Sequence, residues 1–162
     1  MNIFYLDKNP KTAAEYHNDK HVVKMILESA QMLCTAHHVC NPINMQLVGL
    51  YKATHINHPS SLWVRDSEDN YRWLYSLFVS LCDEYTHRYG KTHLTDKKFR
   101  ETLNTVPLYI DPTGIRAFSS PPLCMPDEYK CDDSVISYRN YYMGEKSSLA
   151  KWSKREIPKW WV

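Results

Sequence analysis

The sequence predicts an all-α (mainly α) protein: one compact helical domain over residues 1–162, with a long irregular proline-containing segment and an aromatic-basic C-terminal tail. Two long stretches, about residues 20–38 and 68–89, carry apolar residues at helical spacing between capping residues. The chain has neither an internal repeat nor a linker, and 162 residues suffice for one core but are short for two. With only four glycines and nearly half its residues apolar, it is neither disordered nor of low complexity.

The elements follow in order. Phe4 to Asp7 ("FYLD") reads as a short strand or an extended arm. Pro10 suits the first turn of a short helix to about Tyr16. Asn18 or Asp19 caps the next helix, about Lys20 to His38, which ends in the loop "HHVCNPIN". Ser60 or Ser61 is expected to cap a short turn carrying Leu62 and Trp63. Ser67 caps the clearest helix, with Glu68 and Asp69 in its first turn and His87 and Arg88 in its last, and Gly90 stops it. A further short helix is expected over about Thr95 to Asn104, then an irregular segment over 105–131 holding five prolines. A last helix starts near Asp132 or Asp133 and extends toward Trp152.

Composition narrows the function classes. A net charge of +2 neither demands nor excludes nucleic acid, whereas twelve Tyr, five Trp and four Phe suit wet interfaces and base-stacking surfaces. Five scattered cysteines without a C-x-x-C pair fit free thiols, not a disulfide frame or zinc cage. The opening "MNIFYLDKNPK" is no signal peptide and no run reaches membrane-spanning length, so a cytoplasmic protein, of a bacterial host cell, without a membrane partner is expected. Without a glycine-rich phosphate loop, a nucleotide kinase or dinucleotide enzyme is disfavoured.

The stretch "HNDKHVVKMILESAQML" holds the chemistry. On a helical wheel of about 100° per residue, His21, Lys24, Glu28, Gln31 and Thr35 form one narrow polar arc. Val22, Val23, Ile26, Ala30, Leu33 and Cys34 lie opposite. One reading is a solvated face with a Lys24–Glu28 surface pair worth about 0.3–0.5 kcal/mol. The other is a groove in which the carboxylate stabilises a developing sugar cation and an amine attacks the same carbon, as base excision requires. His17 and His21 sit four apart, a possible metal pair, but no third ligand accompanies them, so neither metal nor cofactor is expected. The tail sets Arg139, Lys146, Lys151, Lys154 and Arg155 among Tyr138, Tyr141, Tyr142, Trp152, Trp160 and Trp161. That is a nucleic-acid-binding composition or a terminal segment whose aromatics are core.

"DKHVVKMILE" resembles the D-x-H motif and seven-residue step to Glu of the bacteriophage pyrimidine-dimer DNA glycosylases, small all-α repair enzymes of the endonuclease V type. "INHPSSLW" before a helix ending "EYTHRYGK", and "YRNYYMGEK" near the C-terminus, are similar to further blocks of that family, and the same blocks resemble a phage-encoded accessory family. The resemblance implies base excision with possible abasic-site lyase activity on damaged or modified pyrimidines. Glu28 is the implied catalytic carboxylate, with His21 and Lys24 beside it. Lys20, Gln31, His58, Arg65, Arg139, Tyr141, Tyr142, Lys146, Lys151, Trp152, Lys154 and Arg155 are the implied DNA contacts. Two departures stand out. The family's nucleophile is the α-amine of a small N-terminal residue exposed by loss of Met, whereas Met1 here precedes Asn2, leaving Lys24 or Lys20 as substitute amines. Leu27 and Gln31 also stand where the family carries arginines. The alternative is a non-catalytic phage-type protein that sequesters a nucleotide or a host protein. A third reading is a phosphohydrolase with metal on His17, Asp19 and His21.

Overall fold

The computed structural model describes residues 1–41 and 49–162. Six α-helices follow one another among them: α1 (Pro10–Tyr16), α2 (Asp19–Cys40), α3 (Pro59–Val64), α4 (Glu68–Tyr89), α5 (Leu94–Phe99) and α6 (Ser134–Lys146). Single 3-10 turns lie at Thr102–Asn104, Asp127–Tyr129 and Ser147–Leu149, and there is no strand among the described residues. The mainly α class is as the sequence predicts. No helix there is long and apolar enough to cross a membrane.

The two long helices form the centre. α2 packs along α4, and α1 and α3 brace the pair. Leu74, Leu77, Phe78 and Leu81 of α4 are buried, as are Val22, Ile26, Ala30 and Leu33 of α2. Each large side chain so removed from water contributes about 1.5–3 kcal/mol against the entropy of ordering it. α4 begins at Ser67, whose hydroxyl accepts from Asn70 N–H, and ends at Gly90 in the left-handed region (φ +67°), where a side chain would be strained.

Several boundaries differ from expectation for local reasons. His58, not Ser60 or Ser61, caps α3: its ring Nδ1 accepts from Ser60 N–H, Pro59 supplies the first turn, and both serines are buried inside. His93 caps α5 in the same way through Thr95 N–H. α5 stops at Phe99 instead of reaching Asn104, since the chain tightens into the 3-10 turn Thr102–Asn104. α2 runs to Cys40, and most of the expected loop after it falls outside the described residues. "FYLD" is an extended arm whose apolar residues Ile3 to Leu6 are buried. α6 ends at Lys146 and does not reach Trp152, because the tail is tied elsewhere: Asp19 N–H donates to Lys151 O, and Trp152 Nε1–H donates to Tyr16 O.

The exposed arc of α2 is also rotated from the wheel's expectation. Phe4 of the arm covers His21, and Thr35 is buried with its hydroxyl donating to Gln31 O and meeting Thr54 N–H. Val23 and Leu27 face outward instead, at 38% and 39% exposure.

Candidate functional site

Glu28 lies on the flank of α2 where the N-terminal arm crosses it. Its side chain is 15% exposed, against 65% for Lys24 one turn earlier. Lys24 Nζ sits 3.3 Å from Oε1, and the backbone N–H of Asn2 donates to Oε2, also at 3.3 Å. This is therefore no open surface pair but a sunken carboxylate with one donor on each oxygen. Asn2 is fixed by its own side chain: Nδ2 donates to Cys124 O, while Oδ1 accepts from Ile3 N–H and lies 2.9 Å from Tyr138 Oη.

Around this carboxylate opens a cavity of about 280 Å³. Asn2, Phe4 and His21 form its inner side, Lys24 and His58 stand at its edge, and Cys124, Tyr141 and Lys146 close it from the C-terminal half. The proline-containing segment thus acts as a wall. Asn70 pins it to α3 and α4 through Ser119 N–H and Trp63 O, and Tyr138 Oη donates to Pro122 O at 2.6 Å.

The electrostatics of the cavity are uneven. Burial pushes the His21 ring down to about 3, helped by His17, Lys146 and Lys24, so it is a neutral imidazole at neutral pH. It stacks on Phe4 with ring centres 4.6 Å apart, and its buried Nδ1 has no hydrogen-bond partner. His58 is also lowered, by burial and then by the neighbouring terminal amine and His55. The charged groups at the cavity are then Lys24, Lys146 and the Met1 terminal amine against Glu28. Lys146 Nζ lies 5.0 Å from the centre of the Tyr141 ring, which gives that cation an aromatic partner.

Larger clefts of about 360 and 430 Å³ lie on the other side, between α1, α4 and the tail. Their buried carboxylate, Glu84, binds Arg88 and Arg155, Glu15 pairs with Arg155, and Glu156 lies exposed on the tail. Glu28 differs in being a sunken carboxylate whose neighbours include an exposed lysine amine.

The predicted DNA contacts divide into two groups. His58, Tyr141 and Lys146 gather at the cavity, beside Lys24 and His21, which were expected as catalytic residues. Lys20 lies one turn before Lys24 on the exposed arc, with the backbone of Lys151 bonded to Asp19 beside it, and Gln31 continues that arc half-buried. Arg65, half-buried at the end of α3, donates to Ser61 O. The others are structural. Tyr142 is fully buried and its hydroxyl accepts from Asn18 N–H; Trp152 is core. Arg139 lies between Tyr16 and Trp160 while donating to Leu6 O and Asp7. Lys154 donates to His87 O, and Arg155 is paired with Glu84 and Glu15. Tyr142 and Trp152 are therefore withdrawn from solvent, while Lys154 and Arg155 remain at the surface with these partners within the protein.

Asp19, of the D-x-H motif, is an anchor. Both its oxygens accept from Ser153, and Oδ1 also meets the wholly buried Arg88. Burial would raise its pKa, but the Ser153 and Arg88 hydrogen bonds outweigh that and hold it below the ordinary range. With His17 Nδ1 bonded to Ala13 O and Asp19 so engaged, the proposed metal trio is not available, and no cluster of three metal-ligating side chains occurs among the described residues. Phe4 and Cys124 were not expected at the site. The unbroken apolar run Ile3–Leu6 was a signal for a buried arm, whereas no spacing rule points to Cys124.

Fold and site define a class: a small helical protein in which an arm and two lysines surround one sunken carboxylate. A family model described as Pyrimidine dimer DNA glycosylase matches residues 1–98, about three-fifths of the chain, and the protein belongs to that family. The match includes Glu28, Lys24 and His58, while Cys124, Tyr141 and Lys146 lie beyond it. No curated protein and no solved structure matches.

Proposed function

We propose that the protein is a DNA glycosylase of damaged or modified pyrimidines, with Glu28 as its catalytic carboxylate. The observation that carries this reading is the placement of Glu28, sunken beside an amine and facing a cavity. As the bond from C1′ to the base breaks, positive charge grows on the sugar, and a preorganised carboxylate stabilises it most where water is scarce. The base leaves with the bonding electrons and takes up a proton. His21, neutral and stacked, offers a hydrogen-bonding imidazole without adding charge. Lys20, Lys146 and Lys151 supply phosphate contacts, with Gln31, His58, Arg65 and Tyr141 as further contacts to the duplex.

Lyase activity requires an amine nucleophile. The Asn2 nitrogen, although it touches Glu28, is an amide joined to Met1 and its lone pair is delocalised. Lys24 is the amine beside the carboxylate. Its ammonium first gives a proton to Glu28, the carboxylate beside it. The free amine then attacks C1′, and the base departs with the bonding electrons and takes up a proton. C1′–O4′ opens with a proton passing from Nζ to O4′, leaving a Schiff base on Nζ. Loss of Met1 would instead turn the Asn2 nitrogen into an α-amine at the same place. Borohydride reduction on a duplex containing an abasic site, followed by peptide mapping, separates these routes. A crosslink on Lys24 supports the proposal, one on residue 2 moves the nucleophile to the arm, and none removes the lyase step.

The acylated Asn2 nitrogen also favours a second reading, a cavity that binds a nucleotide without turnover. In that case nucleotides raise the melting temperature while no base is released from any damaged duplex.

A further inference from the structure

Resting on the glycosylase reading, one surface of α2 remains unexplained. Lys20, Val23, Lys24, Leu27 and Gln31 follow the spacing i, i+3, i+4, i+7 and i+11, so they form a single stripe along the helix. Lys20, Val23, Lys24 and Leu27 are exposed, and Leu27 lies at the centre of the stripe. An outward helical face normally carries polar residues at such central positions. Here two aliphatic side chains are bordered by lysines, and the nearest carboxylate, Glu28, is withdrawn into the cavity flank. Lys24 belongs to both the stripe and the cavity, so the two are continuous.

We propose that Leu27, supported by Val23, is an apolar wedge that enters the base stack of a DNA duplex beside the nucleotide presented to Glu28. A carboxylate only 15% exposed reaches C1′ where the duplex is kinked and a base leaves the stack, and the gap that base leaves costs stacking energy until something apolar fills it. Leucine fits a gap between bases, while Lys20 earlier on the stripe meets the phosphates and Lys24 stays at the sugar beside Glu28. The charge pattern selects DNA over a neutral protein partner or a second copy of the chain, since two copies would place Lys20 and Lys24 against themselves.

The test uses full-length Glu28→Gln, so that bound DNA is not consumed, and a duplex with a tetrahydrofuran abasic analogue flanked by 2-aminopurine. Binding should raise 2-aminopurine fluorescence. Adding Leu27→Ala should leave affinity within about threefold while cutting that rise about fivefold or more, and Leu27→Met should restore it. An undiminished rise with Leu27→Ala overturns the wedge, as does a loss that only parallels lost binding. A free protein that sediments as a dimer and becomes monomeric with Leu27→Ala, the rise being unchanged, makes the stripe an interface between copies instead. If Glu28→Gln binds no duplex at all, the glycosylase reading and the wedge fall together; binding with an unaffected rise removes the wedge alone.

Discussion

Asn2 and Glu28 meet at 3.3 Å, backbone nitrogen to Oε2, across 26 positions of sequence. The contact fixes the carboxylate from the side opposite Lys24, and the Asn2 side chain in turn links the arm to Tyr138 and to Cys124. Asn2→Ala removes the side-chain hydrogen bonds to Cys124 O and from Ile3 N–H together with the polar contact to Tyr138 Oη, and is expected to cost about 1–3 kcal/mol of stability. Because it also frees the arm over Glu28, excision should fall about tenfold or more under conditions where the variant is fully folded. Urea titration and single-turnover excision check the two effects separately.

The tail is tied to the helices by buried charge. Arg88, with a wholly buried side chain, donates to Glu84, Asp19, His17 O and Glu15 O. Arg88→Met keeps the volume but strips a cation from two buried carboxylates, and a loss of about 3 kcal/mol or more is expected in urea denaturation. A variant as stable as the parent would show that Ser153 and Arg155 suffice for those carboxylates.

Acid should weaken the protein in two stages. His17 and His21 are pushed by burial from the usual 6.5 to about 4 and about 3. Below pH 6.5 the unfolded chain takes up protons that the folded one refuses, so their contribution is full above 6.5 and declines below it, by up to about 1.4 kcal/mol per pH unit for each ring. Asp19 and Glu84 act lower down. Their pKa values are held below the ordinary carboxylate range, so their contribution is present above that range and is lost as pH falls through the folded values. His21→Phe, which preserves the stack on Phe4, should flatten the first stage in urea midpoints measured from pH 7 to 4.5. An unchanged slope contradicts the assignment.

Salt dependence separates the two groups of cations. Lys146→Ala should lower the slope of log binding constant against log salt by about one unit on duplex DNA. Arg155→Ala should leave that slope unchanged and instead lower stability, since its guanidinium is held by Glu84 and Glu15.

What could be read from sequence was mostly local. α4 was legible from Ser67 to Gly90 because its cap, charge placement and apolar stripe all agree. The caps at His58 and His93 were not, since histidine is seldom a capping side chain and serine stood nearby. The polar arc of α2 was legible as a motif but not in its orientation: the wheel cannot know that Phe4 returns to cover His21, which turns Val23 and Leu27 outward. The tail's composition suggested DNA, yet Tyr142, Trp152 and Arg139 pack inward, because aromatic and cationic residues serve a core and a phosphate backbone equally well. Which use prevails depends on partners more than a hundred residues away, such as Leu6, Tyr16 and Asn18.

The most direct measurement is single-turnover cleavage of the glycosidic bond in a duplex bearing one cyclobutane pyrimidine dimer, comparing the parent protein with Glu28→Gln. It is read as an alkali-labile abasic site, because the severed base stays tethered through the cyclobutane ring. The parent should sever the glycosidic bond, and Glu28→Gln should be slower by about a hundredfold or more with its duplex affinity nearly intact. Equal rates for the two proteins, at equal affinity, would contradict a catalytic role for the carboxylate that Asn2 and Lys24 hold at the cavity.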